Sequence, residues 1–411
     1  MKKAWTMATI AILTGIVFVI GLYKVPPTMV LLMSDLQIDM TVVGLTMSVC
    51  AIAAMIASLP GGAIMQKFGP KSVGIAAIIM AALGCIIGIV SNNFTVFLIG
   101  RALEGASFGI IAIVVTTIIA IWFPAEKRGL PMSIFTLWVS FGMLIIFNVT
   151  NLIVPSFGWR GVWWLHLLLL GVFLVLFATV INYPEKQVDS GQQSVQPQVS
   201  ILEGFKSLGA WILGIIFLLY AVGNVIFNTY YPTFLQQSLG LELSTSNFYT
   251  SIATLGMLFC GVTIGIVLNK VKNKNHPFLL FLAMILSTAV SYYQFRITAI
   301  AYLPVILFFF GVIWQMVPPI LHTIAPDVAT GPETIPATLS VVTVCSAVGG
   351  MIGPVILGPI VAAANGNWAA TGFPLLLILF VGVLASVFLM FMMKKKYQVT
   401  KKQETASVEV G

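Results

Sequence analysis

Long apolar runs recur twelve times along this chain, and that recurrence leaves few folds open. Between polar breaks they lie at about 5–33, 41–64, 72–91, 94–122, 131–154 and 162–182, then at about 208–234, 246–269, 277–295, 298–323, 337–362 and 370–393. Most reach the roughly 20 residues that a helix needs to cross a hydrocarbon core of about 30 Å. Composition points the same way. Hydrophobic residues make up 59% of the 411 and charged residues 8%, against about 45–50% and about 25% in soluble domains. Lipid must be the main solvent of such a chain. We therefore expect an all-α integral membrane protein with twelve transmembrane helices. The run that follows Met1-Lys2-Lys3 continues to about Met33, which suits a first span better than the short core of a cleavable signal peptide.

The cations between the runs predict how the chain is threaded. With both termini on the cytoplasmic side, sixteen of the 20 Lys and Arg fall on that side, only Arg160 and Arg296 on the other, and Lys24 and Arg101 within spans. This is the bias of the positive-inside rule. It predicts a multi-pass protein of the cell membrane with cytoplasmic termini, the tail from Lys394 lying against anionic headgroups. The net charge of +8 is spread over short loops without a basic, aromatic-laced patch, so nucleic acid is not an expected partner. Residues 184–207, polar and rich in Gln and Ser, read as a linker. They predict an N-terminal six-helix bundle over 1–183, a C-terminal one over 208–393 and a tail over 394–411.

The two sides of the linker resemble each other. Gly62, Gln66 and Lys67 after the second run answer Gly265, Asn269 and Lys270 after the eighth, Pro27-Thr28 answers Pro232-Thr233, and Pro124 answers Pro326. Two six-span halves in pseudo-symmetric register describe a transporter that alternates access to a midplane site. On these residues the chain resembles the major facilitator superfamily over nearly its full length. The loop Gly62–Lys71, with Gly69, looks like that family's inner-loop signature, with Gln66 where the family carries Asp. Arg101-Ala-Leu-Glu104-Gly105, Trp122-Phe123-Pro124 through Arg128-Gly129, and Gly158-Trp159-Arg160 are similar to family elements too. The resemblance implies that the loops at Gly62, Gln66, Lys67, Gly69, Gly265, Asn269 and Lys270 gate the conformational change, and that the first and fourth spans line a central cavity. The absent Asp makes a charge latch at Gln66 doubtful. More narrowly, Gly21-Leu22-Tyr23-Lys24-Val25-Pro26 resembles the cyanate, nitroimidazole and nitrate/nitrite-type permeases, which carry a basic residue before Pro.

Only three full charges fall within spans: Lys24, Arg101 and Glu104. Each is expensive in lipid, at about 2.5–3.5 kcal/mol on insertion scales, and so needs a partner or a function. At 1.5 Å per residue, Lys24 lies roughly 7 Å and Arg101 roughly 10 Å from the middle of their spans, both toward the outside. Two cations and one carboxylate leave a net positive site, which an anionic substrate would complete. We expect Lys24, Arg101 and Tyr23 to contact it and Glu104 to pair or carry a coupled proton. The bland alternative pairs Arg101 with Glu104 at i, i+3 while Lys24 snorkels outward. Opposite them, Tyr220, Asn224 and Asn228 share one helical face, and with Trp314 and Gln315 they are expected to supply neutral contacts to the solute. Ordinary helix packing would use such residues as well.

The remaining polar residues exclude more than they suggest. His166 and His322 sit near span ends and read as interfacial. Cys50, Cys85, Cys260 and Cys345 lie at no metal-ligand or disulfide-framework spacing, so neither a metal nor a cofactor is expected. Three His and scattered acids do not make an embedded enzyme, and a chain that carries its own pseudo-twofold does not read as a channel. A small-molecule anion, lipid and a coupled proton are the expected partners of a monomer. The rival reading, a proton-linked exporter of neutral or cationic drugs, meets a positive cavity and lacks the G-x-x-x-G-P motif in the fifth span.

Overall fold

The computed structural model describes residues 2–124, 127–182, 207–331 and 334–409, and the side chains of all of these except 62, 66, 336 and 396–409. Among the described residues every regular element is a helix, as lipid requires of a chain that must satisfy its own backbone hydrogen bonds. Most of the expected linker, including Lys186 and Lys206, lies outside the described residues, as do the side chains of Gly62 and Gln66.

Among the described residues, eleven helical stretches are long and apolar enough to cross a membrane. One of them, Gly129–Val180, has 52 residues. At 1.5 Å per residue it would be about 78 Å long, more than twice a bilayer core. It divides at Gly158, whose φ of 61° and ψ of −170° stop the helix. The expected fifth and sixth spans are the two halves. The second and third spans lie within the helical stretch Leu45–Val90, which likewise turns at Gly69 (φ 75°, ψ 155°). At both positions an L side chain would be strained. The fourth span is Phe94–Trp122, started by the Asn93 side chain accepting from the Val96 N–H. The second series is Leu208–Leu239, Leu243–Lys270, His276–Tyr293, Leu303–Val328, Ile335–Ala363 and Gly372–Glu409. The last helix runs past the expected span end at 393.

The chain divides into two compact units. The first comprises 1–194 with 228–255 and 351–367, and the second comprises 195–227, 256–350 and 368–411. In the first unit the far ends of the seventh and eleventh spans, and the start of the eighth, interlock with the N-terminal helices. Asn247 Nδ2 donates to Asn151 Oδ1 at 2.9 Å and to Pro27 O at 3.4 Å. Ser48 Oγ donates to Met351 O at 2.6 Å, and the Tyr230 hydroxyl to Pro354 O at 2.6 Å. A Cβ on Gly44 would lie 2.0 Å from Pro354 O, and one on Gly358 would lie closer still to Met40 O, so backbone meets backbone there. In the second unit the Tyr220 hydroxyl donates to Trp314 O, and Ser207 Oγ to Val328 O at 3.0 Å.

Candidate functional site

The site begins with a proline. The first helix, Lys2–Tyr23, gives way to a 3-10 turn at Pro26–Thr28. Pro26 has no N–H to donate, so Leu22 O is left without its i+4 partner. Arg101 takes it: Nη2 donates to Leu22 O at 3.0 Å, Nη1 to Gly21 O at 2.9 Å and Nε to Thr46 O at 3.2 Å. The fourth span can approach this closely because of Gly105, where a Cβ would fall 2.3 Å from Cys50 O of the second span.

Arg101 Nη1 also donates to Glu104 Oε2 at 2.5 Å, and Lys24 Nζ lies 2.5 Å from Glu104 Oε1. One carboxylate therefore holds both cations. All three are buried, with Lys24 0%, Arg101 1% and Glu104 5% exposed. Lys24 does not snorkel; it points inward. Its ammonium reaches His166 Nδ1 at 3.1 Å and Cys85 Sγ at 3.6 Å, and sits 4.3 Å from the centroid of the Trp163 ring. An ammonium can only donate, so Nδ1 of His166 is the acceptor, the imidazole is neutral and its proton is on Nε2. The imidazole also has the Val17 backbone carbonyl as a hydrogen-bond partner, and the indole N–H of Trp163 is buried without an acceptor among the described residues.

The cluster thus carries two positive charges, one negative charge and a surplus of donors. Isolated charges at this depth would be prohibitive, and pairing with full hydrogen bonding makes them tolerable. Cys85, Glu104 and His166 offer ligand atoms within 4.8 Å of one another, a donor set suited to a metal. Here those atoms already surround the Lys24 ammonium.

The structure brings together Lys24, Arg101 and Glu104 of the expected residues, and adds His166, which the sequence had placed at a span end, and Trp163, which the sequence analysis did not single out. Their depth was the available signal, since both lie just inside the sixth span, which enters from the side where Lys24 leaves the first. Tyr23 is half-buried beside Lys24. In the second unit Trp314 is fully buried, its ring 5.6 Å from Tyr220 at 64°, and its indole N–H has no acceptor among the described residues. Asn224 and Gln315 are half-buried. Asn228 is buried and belongs to the first unit, apart from Tyr220 and Trp314 in the second. His322 is exposed, its Nδ1 2.7 Å from Pro318 O. Among the loop residues, Gly69 makes the turn between the second and third spans, whereas Gly265 is a helical residue with open space about it. Asn269 and Lys270 are exposed at their helix end, and Lys67 is exposed.

Long apolar helices around a buried charge cluster define a multi-pass integral membrane protein, and comparison places it further. The family model of the Major Facilitator Superfamily matches residues 11–354, and the chain belongs to that family. It is 25% identical over 213 residues to the MFS-type transporter YcnB of Bacillus subtilis (strain 168), covering 49% of this chain and 45% of that protein. It is 25% identical over 268 residues to the probable galactarate/D-glucarate transporter GudP of Escherichia coli (strain K12), covering 57% of this chain and 58% of that one. The chain spans about half the length of these curated relatives. Its fold is similar to that of a bacterial homologue of the human lysosomal transporter Spinster, with a TM-score of 0.75 at 12% identity over 96% of this chain and 97% of the other. These relatives are transporters by name.

Proposed function

We propose that the chain is a secondary transporter that carries a small organic or inorganic anion across the cell membrane by alternating access. The observation that carries this reading is the donor surplus of the buried cluster. Lys24 and Arg101 face one carboxylate, and the buried indole N–H of Trp163 has no acceptor among the described residues. An anion, which only accepts, is the ligand such a site lacks. In the mechanism we propose, it competes with Glu104 for Lys24. Four of the five Arg101 donors are already committed to Glu104 and three carbonyls, so Lys24 is the mobile partner and Arg101 the fixed one. Glu104, released from Lys24 while Arg101 still holds its other oxygen, is the group we propose carries the coupled proton. Tyr23, Tyr220, Asn224, Asn228, Trp314 and Gln315 complete the solute contacts.

The halves 1–183 and 208–393 are the two moving bodies, with Gly62, Gln66, Lys67, Gly69, Gly265, Asn269 and Lys270 in the loops that let them part. Both termini are cytoplasmic, by the cation bias, and a monomer suffices. The name of GudP, a relative over 57% of this chain, refers to two sugar acids, which supports an anionic substrate class. Uptake and efflux in proteoliposomes test the proposal, with cyanate, nitrite, nitrate, formate, short carboxylates and galactarate, each with and without a pH gradient. Transport of at least one anion is expected, abolished by Lys24→Met. If lipophilic cations are carried while no anion is moved or competes, the chain is a drug exporter instead.

A further inference from the structure

A group of buried polar atoms in the second unit has no place in that mechanism. It lies on the ninth span, His276–Tyr293, and on the residues that follow it. Ser287, Ser291 and Gln294 are each 0% exposed. The two hydroxyls and both polar atoms of the Gln294 amide have no hydrogen-bond partner among the described residues. Steps of four and three residues put these side chains on one face of the helix. Arg296 follows, half-buried, with Nη1 donating to the Tyr292 hydroxyl at 2.8 Å. Its Nε is buried without an acceptor among the described residues.

Ordinary helix packing does not account for this stripe. A hydroxyl on a helix commonly returns its proton to the carbonyl three or four residues back, as Thr288 of the same helix does to Met284 O at 2.7 Å. Ser287 and Ser291 make no such bond. Gly223 of the seventh span shows where their face points. A Cβ there would lie 3.0 Å from Ser291 Oγ, 2.7 Å from Cη2 of Trp314 in the tenth span and 3.2 Å from Leu379 Cδ1 in the last. The stripe is therefore enclosed by other spans of its own unit, beside the ring of Trp314, whose N–H also has no acceptor among the described residues.

Charge and size narrow what this seam can hold. None of the residues that form it is acidic, so a cation would be buried beside Arg296 without a counter-charge. An anion moving inward would leave Arg296, the one cation, behind at the end of the stripe. A carbon-bearing solute does not fit between Ser291 and Trp314, where even one added carbon at Gly223 is too close. What remains is a small neutral molecule that both donates and accepts. We infer that Ser287, Ser291, Gln294, Arg296 Nε and the Trp314 indole bind a file of internal water molecules. Two hydroxyls, an amide and two N–H groups supply the roughly three polar partners that each buried water takes. The seam lies in the second unit and the Lys24–Glu104 cluster in the first, so the inference stands or falls independently of the transported solute.

Radiolytic hydroxyl-radical labelling of the purified full chain in detergent tests it, read out by peptide mass spectrometry. Radicals formed from a bound water oxidise the side chains beside it, so a buried residue is labelled only where water reaches it. Trp314 should be oxidised well above Phe147 and Phe177 once each rate is corrected for intrinsic reactivity, although all three are 0% exposed. Ser291→Val combined with Gln294→Leu removes polar groups at nearly constant volume, and should bring Trp314 down to the corrected rate of the two phenylalanines. Labelling of Trp314 in the unaltered protein at the phenylalanine rate overturns the inference. So does undiminished labelling of Trp314 in a double variant whose Phe147 and Phe177 rates match the unaltered protein, a match that shows it is folded. The first comparison involves no substitution, so it decides the matter whether or not the variant folds.

Discussion

Glu104 is the residue on which the buried cluster depends, because it is the only carboxylate that Lys24 and Arg101 share. Glu104→Gln leaves both cations buried with no counter-charge, and removing one partner of a buried pair costs about 3–5 kcal/mol. Thermal unfolding of the purified protein in detergent should show that loss, and combining Glu104→Gln with Lys24→Met should recover part of it. A fully additive double variant would mean that the two groups are not coupled. Gly21 is a second sensitive point. A Cβ there would lie 2.3 Å from His166 Cε1, so Gly21→Ala must push the imidazole away from Lys24. Overpacking of this kind costs about 1–3 kcal/mol, and the same unfolding measurement reads it. Lys24, Arg101 and Glu104 were legible in the sequence because a full charge inside an apolar run has no innocuous explanation. His166 and Trp163 were not, because a neutral imidazole and an indole near a span end are ordinary interfacial residues. What separates them from that class is a distance of 3.1 Å to an ammonium from a residue 142 positions away, which no local pattern encodes.

At the scale of elements, helix existence followed from length and apolarity, and helix ends followed from particular residues. The fourth span, expected at 94–122, is Phe94–Trp122, since Asn93 caps its start. The break between the fifth and sixth spans had only a soft polar signal over 154–162, and the structure makes it at Gly158 through backbone conformation. The repeated loops show where sequence likeness misleads. Gly62 to Lys71 and Gly265 to Lys274 align residue by residue, yet the first turns at Gly69 with φ of 75°, while the equivalent position after the eighth span is Lys272. The second loop instead turns through a 3-10 helix at Asn273–Asn275. Two substitutions expose the difference. Gly69→Ala forces a left-handed conformation on an L residue and should cost about 1–2 kcal/mol. Gly265→Ala, in a helix with nothing within 4 Å of the new Cβ, should stabilise by about 0.4–1 kcal/mol. Unfolding midpoints of the two variants should move in opposite directions.

For the whole molecule, the likeness of the two loop regions does not extend to the charges. The ionic cluster belongs entirely to the first unit, whereas Tyr220 and Trp314 of the second meet through a hydroxyl and a carbonyl. The sequence could not show which helix ends interlock, because Asn151, Asn247, Tyr230 and Ser48 are unremarkable polar residues until their partners are known. Their contacts hold the ends of the seventh, eighth and eleventh spans to the N-terminal helices within the first unit, and under the proposed transport cycle those contacts must open once per cycle. Asn151→Cys with Asn247→Cys, replacing side chains joined at 2.9 Å, should therefore trap the chain when bridged by oxidation or a short bis-thiol reagent. The four native cysteines are all buried, so they compete little for a polar reagent. Anion flux in proteoliposomes should fall to background on bridging and return on reduction of the oxidised form, while each single variant keeps its activity under the same treatment. Flux that persists through a bridge verified by mass would mean that these spans stay together throughout the cycle, and that access to the Lys24 site changes by another route.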